Sequence, residues 1–383
     1  MDRRLTPDIF ARLGTRPIIN ASGIYTDLGG SRLSPTVWAA MAESNKQYVR
    51  MVDLLESSGR ILAAHLGAEA GRVTTGAAAS IVLMVSAAIT DGDGAASERL
   101  PDTTGLRDEI VLQRNHRYKY DRQIPLTGAR LVLAGTEAGT SEAELETAIG
   151  PKTAALYVPA HLDGAGHTVP LARVVAIARR HGLKVLVDAA YMCWPLEAMP
   201  GYVAAGADLV CFSAKYFGGP NAGGFMVGTR AMIDAVTANN FTRYESGPHL
   251  TIGRVFKIDR QTVVGVVTAF EEWRAADHPA RWARYAKLVE QLRGHLAGLP
   301  GVTTAARYFT MDERLVPDPV NSLVLELAAG HRLTHAALGR HLAEANPSIA
   351  CDVQADKLIF CFDAIGDEEV DTVGTRLLEV LSG

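Results

Sequence analysis

LVDAAYMCWPLEAMPGYVAAGADLVCFSAKYFGGPNAGGFMV, residues 186–227, holds two short apolar runs that each end on polar side chains. Lys184–Val187 leads into Asp188, and Asp208–Phe212 leads into Ser213 and then Lys215. In an open parallel α/β sheet, ligands bind beyond the carboxyl ends of the strands. Two such strands therefore deliver an Asp and a Lys to one edge, where both can face a single ligand. Lys is the side chain that forms Schiff bases with carbonyl compounds. An ion pair at the strand ends is the other reading of the same two residues.

Working upstream, Arg72–Thr75 reads as a strand, and Gly76-Ala77-Ala78-Ala79-Ser80 opens an apolar helix to about Ile89. A strand, a small-residue turn and a helix start gather free backbone N–H groups at a positive helix end, a ready phosphate cup. Packing alone also explains such a turn. Residues 90–108 read as a polar loop. Glu109–Gln113 is a strand, and just past its end His116 is placed so that a flat imidazole can cover one face of a ring-shaped ligand. Arg130–Leu133 is a further strand, Ser141–Glu144 a capping box opening a helix, and Thr153–Val158 a strand that runs into a loop with His161, Asp163 and His167. No further ligand cluster accompanies that loop, so no metal is expected. Val169–His181 is an amphipathic helix stopped by Gly182. Strands alternating with helices from 72 to 215 define an α/β chain with a mainly parallel, seven-stranded-type sheet covered by helices on both faces.

The flanks complete the organisation. The segment RPIINASGIYTDLGGSRLSP is too irregular for one element, and Ser34-Pro35 then caps and opens a helix. A second helix is expected over Val52–Leu66. After Lys215, glycines precede a returning strand at Gly224–Val227, and residues 240–260 read as a polar loop carrying Arg243, Arg254 and Lys257. Those cations are candidates to meet an anionic substrate group or a phosphate. Long helices over Thr262–Ala276 and about His278–Leu296 lead to strands near 302–308, 320–326 and 357–362 with helices near 333–345 and 367–381, a smaller C-terminal α+β domain. The expected division is 1–50 (arm and helix), 51–265 (large domain) and 266–383 (linking helices and small domain).

Composition narrows the function classes. With 383 residues, 48% apolar and 21% charged, the chain is long enough for two domains and a large core. A formal charge of −4 offers no basic footprint for nucleic acid or anionic membrane. No apolar run approaches a membrane span, and MDRRLTPDIFARLG lacks the apolar core of a secretory signal. Cys193, Cys211, Cys351 and Cys361 lie in or beside apolar segments without CxxC spacing, which fits buried thiols in a reducing compartment. A cytoplasmic protein is expected.

Gly76-Ala77-Ala78, His116, Asp188 and Ser213-Ala214-Lys215 follow one another on successive strand ends, and this order resembles the fold-type-I pyridoxal-phosphate enzymes. INASGIYTDLGG, LPDTTGL, EIVLQRNHRYKYD, VLVDAAYM, FSAKYFGGPNAGGFMVG and IGRVFKIDRQTVVGVVTAFE resemble, more narrowly, the selenocysteine-synthase-like branch that includes D-glucosaminate-6-phosphate ammonia-lyases. The likeness runs from about residue 16 to 275. It implies that Lys215 binds pyridoxal 5'-phosphate as a Schiff base and later moves a proton at the substrate's Cα. Asp188 would hold the pyridine nitrogen protonated, as a carboxylate partner does in such sites. His116 would stack on the ring, while Gly76, Ala77, Ala78 and Ser213 would serve the phosphate. A homodimer or larger assembly is implied as well. A free Lys, with a pKa near ~10.4, is a poor nucleophile at neutral pH; desolvation and neighbouring cations lower it.

The resemblance favours a lyase: Cα deprotonation, then β-elimination from an amino acid or amino-sugar acid, as in ammonia-lyases and dehydratases. A racemase, aldolase or aminotransferase would use the same Cα carbanion. The segment KLIFCFDAIGDEE offers no Arg for a substrate carboxylate, which weighs against an aminotransferase, and Arg254 and Lys257 are the substrate-binding candidates instead. Selenocysteine synthase carries a longer N-terminal part; the start near INASG and the slight acidity lead us to expect no tRNA substrate. A non-catalytic binding protein on the same fold is a further reading, disfavoured because neither the Asp188 nor the Lys215 charge is needed for folding.

Overall fold

The computed structural model describes residues 9–383. They form two compact units, one of Ser31–Ala275 and one of the N-terminal segment through Gly30 with Ala276–Gly383.

The strands, in chain order, are β1 Ile18–Ala21, β2 Ala70–Thr74, β3 Glu109–Gln113, β4 Arg130–Ala134, β5 Thr153–Pro159, β6 Lys184–Asp188, β7 Leu209–Ser213 and β8 Gly224–Gly228. There follow β9 Val302–Phe309, β10 Leu315–Val316, β11 Ser322–Leu327, β12 Ser348–Val353 and β13 Leu358–Cys361. The larger unit holds a seven-stranded sheet in the order β2-β8-β7-β6-β5-β3-β4. All its neighbours are parallel except β8, which runs antiparallel to both β7 and β2. The ends of β2, β3, β5, β6 and β7 therefore share one edge.

Strand alternation explains why helices cover both faces. Val185 and Val187 of β6 and Val210 and Phe212 of β7 enter one core cluster, which also takes Leu55, Leu62, Ile177, Val263 and Phe270 from helices. Leu186, Leu209 and Cys211, with Ala155 and Tyr157 of β5, enter the other, beneath Ile81, Val85 and Ile233. Successive strand residues point to opposite faces, and burial of both faces turns the strands into near-continuous apolar runs. The expected α/β architecture with a mainly parallel sheet is thus present, together with a smaller C-terminal sheet unit. In that unit the order is β1-β12-β13-β11-β9-β10.

Local signals account for the helix ends. Ser34 accepts from the Val37 N–H ahead of Pro35–Ser44, and Ser141 forms the expected capping box with Glu144. Several expectations need correction. The arm segment 16–35 is not wholly irregular: Ile18–Ala21 pairs in parallel with Ser348–Cys351, a long-range contact that no local pattern announces. The 90–108 loop contains a helix, Gly94–Arg99, capped by Asp93. Residues 240–260 are not simply a loop, because Asn240 caps a helix over Phe241–Ser246 and Arg254–Phe256 form a 3-10 turn. Among the described residues no disulfide forms, and no helix is long and apolar enough to cross a membrane.

Candidate active site

The site is built on the shared strand edge. Thr74, Gly224 and Ser213 are register partners across three strands. Gly76, two residues beyond Thr74, has φ 86° and begins the helix Ala77–Thr90 with no side chain capping it. The first-turn N–H groups of Ala77 and Ala78 thus lie at an uncapped helix start beside the Ser213 strand end. Gly224 makes this approach possible: a Cβ there would lie 2.7 Å from the Phe212 carbonyl oxygen and 2.9 Å from the Gly76 Cα. Thr75 donates its hydroxyl to the Phe256 carbonyl at 2.7 Å, tying the 254–257 segment to the same place.

Lys215 lies in the turn Ala214–Phe217 directly after β7 and is 6% exposed. Its ammonium stands 4.8 Å from the Tyr216 ring centre. Ala214 donates its N–H to Gly223 O at 2.9 Å and Gly219 returns one to Ala214 O at 2.8 Å, so the backbone around the lysine is fixed on both sides.

Asp188 ends β6, is buried, and is the register partner of Cys211 on β7. Its Oδ1 accepts from the Ala190 N–H at 3.0 Å and from the Cys211 thiol at 3.6 Å. Its Oδ2 accepts a short hydrogen bond from the Tyr118 hydroxyl. Burial raises the Asp188 pKa above the ordinary carboxylate value, against the opposing pull of Tyr118, Ala190, His161 and Cys211. A carboxylate held this way gains from a cationic partner.

His116 is fully buried, and neither ring nitrogen reaches a partner at hydrogen-bonding geometry. Burial lowers its pKa to about 4, opposed by the Leu162 backbone and aided by His161, so the imidazole is neutral at pH 7. A flat, uncharged ring fits a stacking role. Together with the uncapped helix start and the buried Asp188, it makes the residues present compatible with a phosphorylated pyridine cofactor.

The sequence singled out neither Tyr118 nor Tyr157. Tyr157 is buried in the aliphatic strand TAALYVP, and a buried Tyr ordinarily finds a partner for its hydroxyl, the one signal that could have flagged it. His161, weighed above with Asp163 and His167 as a metal ligand, packs its ring 5.2 Å from both Tyr118 and Tyr191. Asp163 instead accepts the Leu171 N–H at 2.8 Å. Among the described residues no group of three or more His, Cys, Asp or Glu is placed to hold a metal. Arg254 is ion-paired to Glu245, and Lys257 is exposed.

These features define a fold-type-I pyridoxal-phosphate enzyme. The chain belongs to the SelA family, L-seryl-tRNA selenium transferase, whose model matches residues 18–258. It is 35% identical over 275 residues to the D-glucosaminate-6-phosphate ammonia lyase of Salmonella typhimurium, covering 70% of this chain and 71% of that protein. It is 32% identical over 301 residues to the 5'-C-glycyluridine monooxygenase-decarboxylase of a Streptomyces species, covering 77% and 72%. The solved structure of a D-glucosaminate-6-phosphate ammonia-lyase superposes with a TM-score of 0.85 at 27% identity, over 99% of this chain and all of that one.

Proposed function

We propose that this chain is a pyridoxal-phosphate-dependent lyase that eliminates a β-substituent, such as water, from an amino acid or amino-sugar acid. Asp188 and Lys215 at the ends of adjacent strands carry the reading, and the likeness to an ammonia lyase over most of the chain supports elimination as the reaction. When bound, the cofactor supplies an electron sink for the negative charge that develops at the substrate's Cα.

The protein's own residues do the rest. Lys215 holds the cofactor covalently and then moves the proton at Cα. Asp188 keeps the ring nitrogen protonated, and His116 covers the ring face. Gly76, Ala77, Ala78 and Ser213 hold the phosphate through backbone N–H groups and a hydroxyl. Arg254 and Lys257 are the candidates for an anionic substrate group. Loss of the Cα proton and of the β-hydroxyl as water leaves an enamine product. Its tautomer takes up one water to give a 2-oxo acid and ammonia, so atoms balance without an oxidant. We place the enzyme in the cytoplasm as a homodimer or larger homo-oligomer.

The test is the absorbance spectrum of purified protein before and after borohydride, alongside Lys215→Ala, followed by a screen of D- and L-hydroxyamino acids. A visible band that borohydride traps on Lys215, with ammonia and a 2-oxo acid released in equal amounts, is the expected result. No band after addition of pyridoxal phosphate would overturn the reading. The 32% identity to a monooxygenase-decarboxylase motivates one alternative. Oxygen consumption with carbon dioxide release, and no ammonia, would select it.

A further inference from the structure

The strand alternation that buries both faces also brings three polar groups to one face at one edge. Tyr157 of β5, Asp188 of β6 and Cys211 of β7 all project toward the side covered by Ala77–Thr90, as Ala155, Leu186 and Leu209 do two residues earlier in each strand. Tyr118 reaches the same point from the segment after β3. That segment is anchored by the buried Asp121, which pairs with Arg117 and accepts the Tyr118 N–H at 3.3 Å. The Tyr118 ring packs edge-on to Tyr120 at 6.0 Å and tilted against His161 at 5.2 Å.

We infer that Tyr118 and Tyr157 form a two-hydroxyl relay that positions the Asp188 carboxylate for the cofactor's ring nitrogen, with Tyr157 acting only through Tyr118. The inference rests on the functional reading above and goes past it to two residues that touch neither cofactor nor substrate in that reading.

Hydrogen-bond counting fixes the direction of the relay. An ionised carboxylate only accepts, and a phenol has one proton. Tyr118 spends its proton on Asp188 Oδ2. The 2.6 Å contact between the two phenol oxygens must then run from the Tyr157 hydroxyl to the Tyr118 oxygen. Both phenols stay protonated, since burial and the Asp188 charge push their pKa values far up. Oδ1 accepts from the Ala190 N–H and the Cys211 thiol, and Oδ2 accepts from the Tyr118 hydroxyl. Tyr118 thus holds one carboxylate oxygen while the strand-end backbone and Cys211 hold the other. The titratable groups that act on Asp188 include Tyr118 and His161 from the segments after β3 and β5, Tyr157 on β5, and Cys211 on β7. Among these, Tyr118 makes the shorter charge-assisted bond, the Cys211 thiol standing at 3.6 Å, and short charge-assisted bonds are the strong ones.

Two plain core tyrosines would fill the same volume, so the test must read more than stability. Apoprotein carrying Tyr118→Phe, Tyr157→Phe or both is titrated with pyridoxal 5'-phosphate, and the ring-nitrogen shift of 15N-labelled cofactor is recorded. Loss of a hydrogen bond to a charged group predicts that Tyr118→Phe weakens cofactor binding roughly ten- to a hundredfold. Its ring-nitrogen shift should move toward the unprotonated pyridine value, because a less stabilised carboxylate competes better for the shared proton. Tyr157→Phe should change both quantities in the same direction by a smaller factor. The double variant should match Tyr118→Phe alone, since coupled groups are non-additive.

Wild-type affinity and an unchanged shift in Tyr118→Phe would overturn the relay. So would a full additional loss from Tyr157→Phe in the double variant. Should Tyr118→Phe fail to fold, Tyr157→Phe read by the same shift decides the question, with no movement counting against the relay. Wild-type protein that takes up no cofactor would instead sink the reading of the site, and wild-type uptake with unaltered variants would sink the relay alone.

Discussion

Gly224 approaches Gly76 so closely that a Cβ on Gly224 would lie 2.9 Å from the Gly76 Cα, with the Phe212 carbonyl oxygen at 2.7 Å. Both obstacles are backbone or Cα atoms, so neither yields by a rotamer change. Gly224→Ala should cost about 1–3 kcal/mol, the usual range for overpacking. It should also weaken capture of pyridoxal phosphate, because the displaced backbone is the start of the helix proposed to face the cofactor phosphate. Gly201→Ala is the control: nothing lies within 4 Å of a Cβ there. It should leave melting temperature and cofactor affinity at or slightly above wild type. Equal behaviour of the two variants in melting and cofactor titration would refute the argument.

The role proposed for Asp188 separates holding the cofactor from using it. Asp188→Asn keeps the shape and can still bond to a neutral ring nitrogen, but it cannot hold that nitrogen protonated. Cofactor uptake at saturating pyridoxal phosphate, read by borohydride trapping on Lys215, should survive, with affinity weakened at least as much as in Tyr118→Phe. Turnover should fall by roughly 100-fold or more, the scale seen when a preorganised electrostatic partner is removed. Asp188→Ala should likewise impair Cα deprotonation more than cofactor capture. Full activity in either variant, measured as ammonia release, would be incompatible with the assignment.

His116 carries a pH signature of its own. Its pKa falls from 6.5 to about 4 on folding, chiefly through burial. A depressed pKa on a base means that the folded state disfavours the proton. The associated stability is therefore present above about pH 6.5 and lost as pH falls toward 4. His116→Phe removes this dependence while keeping a flat ring. Melting temperatures of wild type and variant apoprotein between pH 4 and 7 should converge, or cross in favour of the variant, at the acid end. Curves that run parallel throughout would mean that folding does not depress the His116 pKa.

What the sequence made legible divides along local and non-local lines. Lys215, Asp188, His116 and the Gly76 turn could be read because each sits directly after a short apolar run, and an α/β sheet puts such positions on one edge. The capping box at Ser141 and the N-cap at Ser34 were equally local. The β1 strand was not legible, since Ile18–Ala21 is a strand only by pairing with residues more than 300 positions away. The Tyr118–Tyr157 contact joins residues from two different strand-end regions. It depends on which face of β5 Tyr157 occupies, and only the assembled sheet defines that. The 240–260 segment misled because its polar and cationic residues, usual in a solvated loop, also decorate a short capped helix.

Arg254 and Lys257 give the sharpest test of what the enzyme binds. Arg254 lies 2.5 Å from a Glu245 carboxylate oxygen, and both side chains are substantially exposed. An ion pair of that kind contributes about 1 kcal/mol or less, so its loss alone leaves kinetics nearly unchanged. Arg254→Met should nevertheless raise KM for an anionic substrate about tenfold, as loss of a charge-assisted contact does, with a smaller change in kcat. Lys257→Met should act in the same direction and less strongly. Glu245→Gln breaks the same ion pair while leaving Arg254 in place, and it should not reproduce the KM effect. If Glu245→Gln and Arg254→Met behave alike, Arg254 serves only to fix the 241–256 segment. If Arg254→Met alters the dissociation constant of pyridoxal phosphate and leaves KM unchanged, the guanidinium answers to the cofactor phosphate rather than to the substrate.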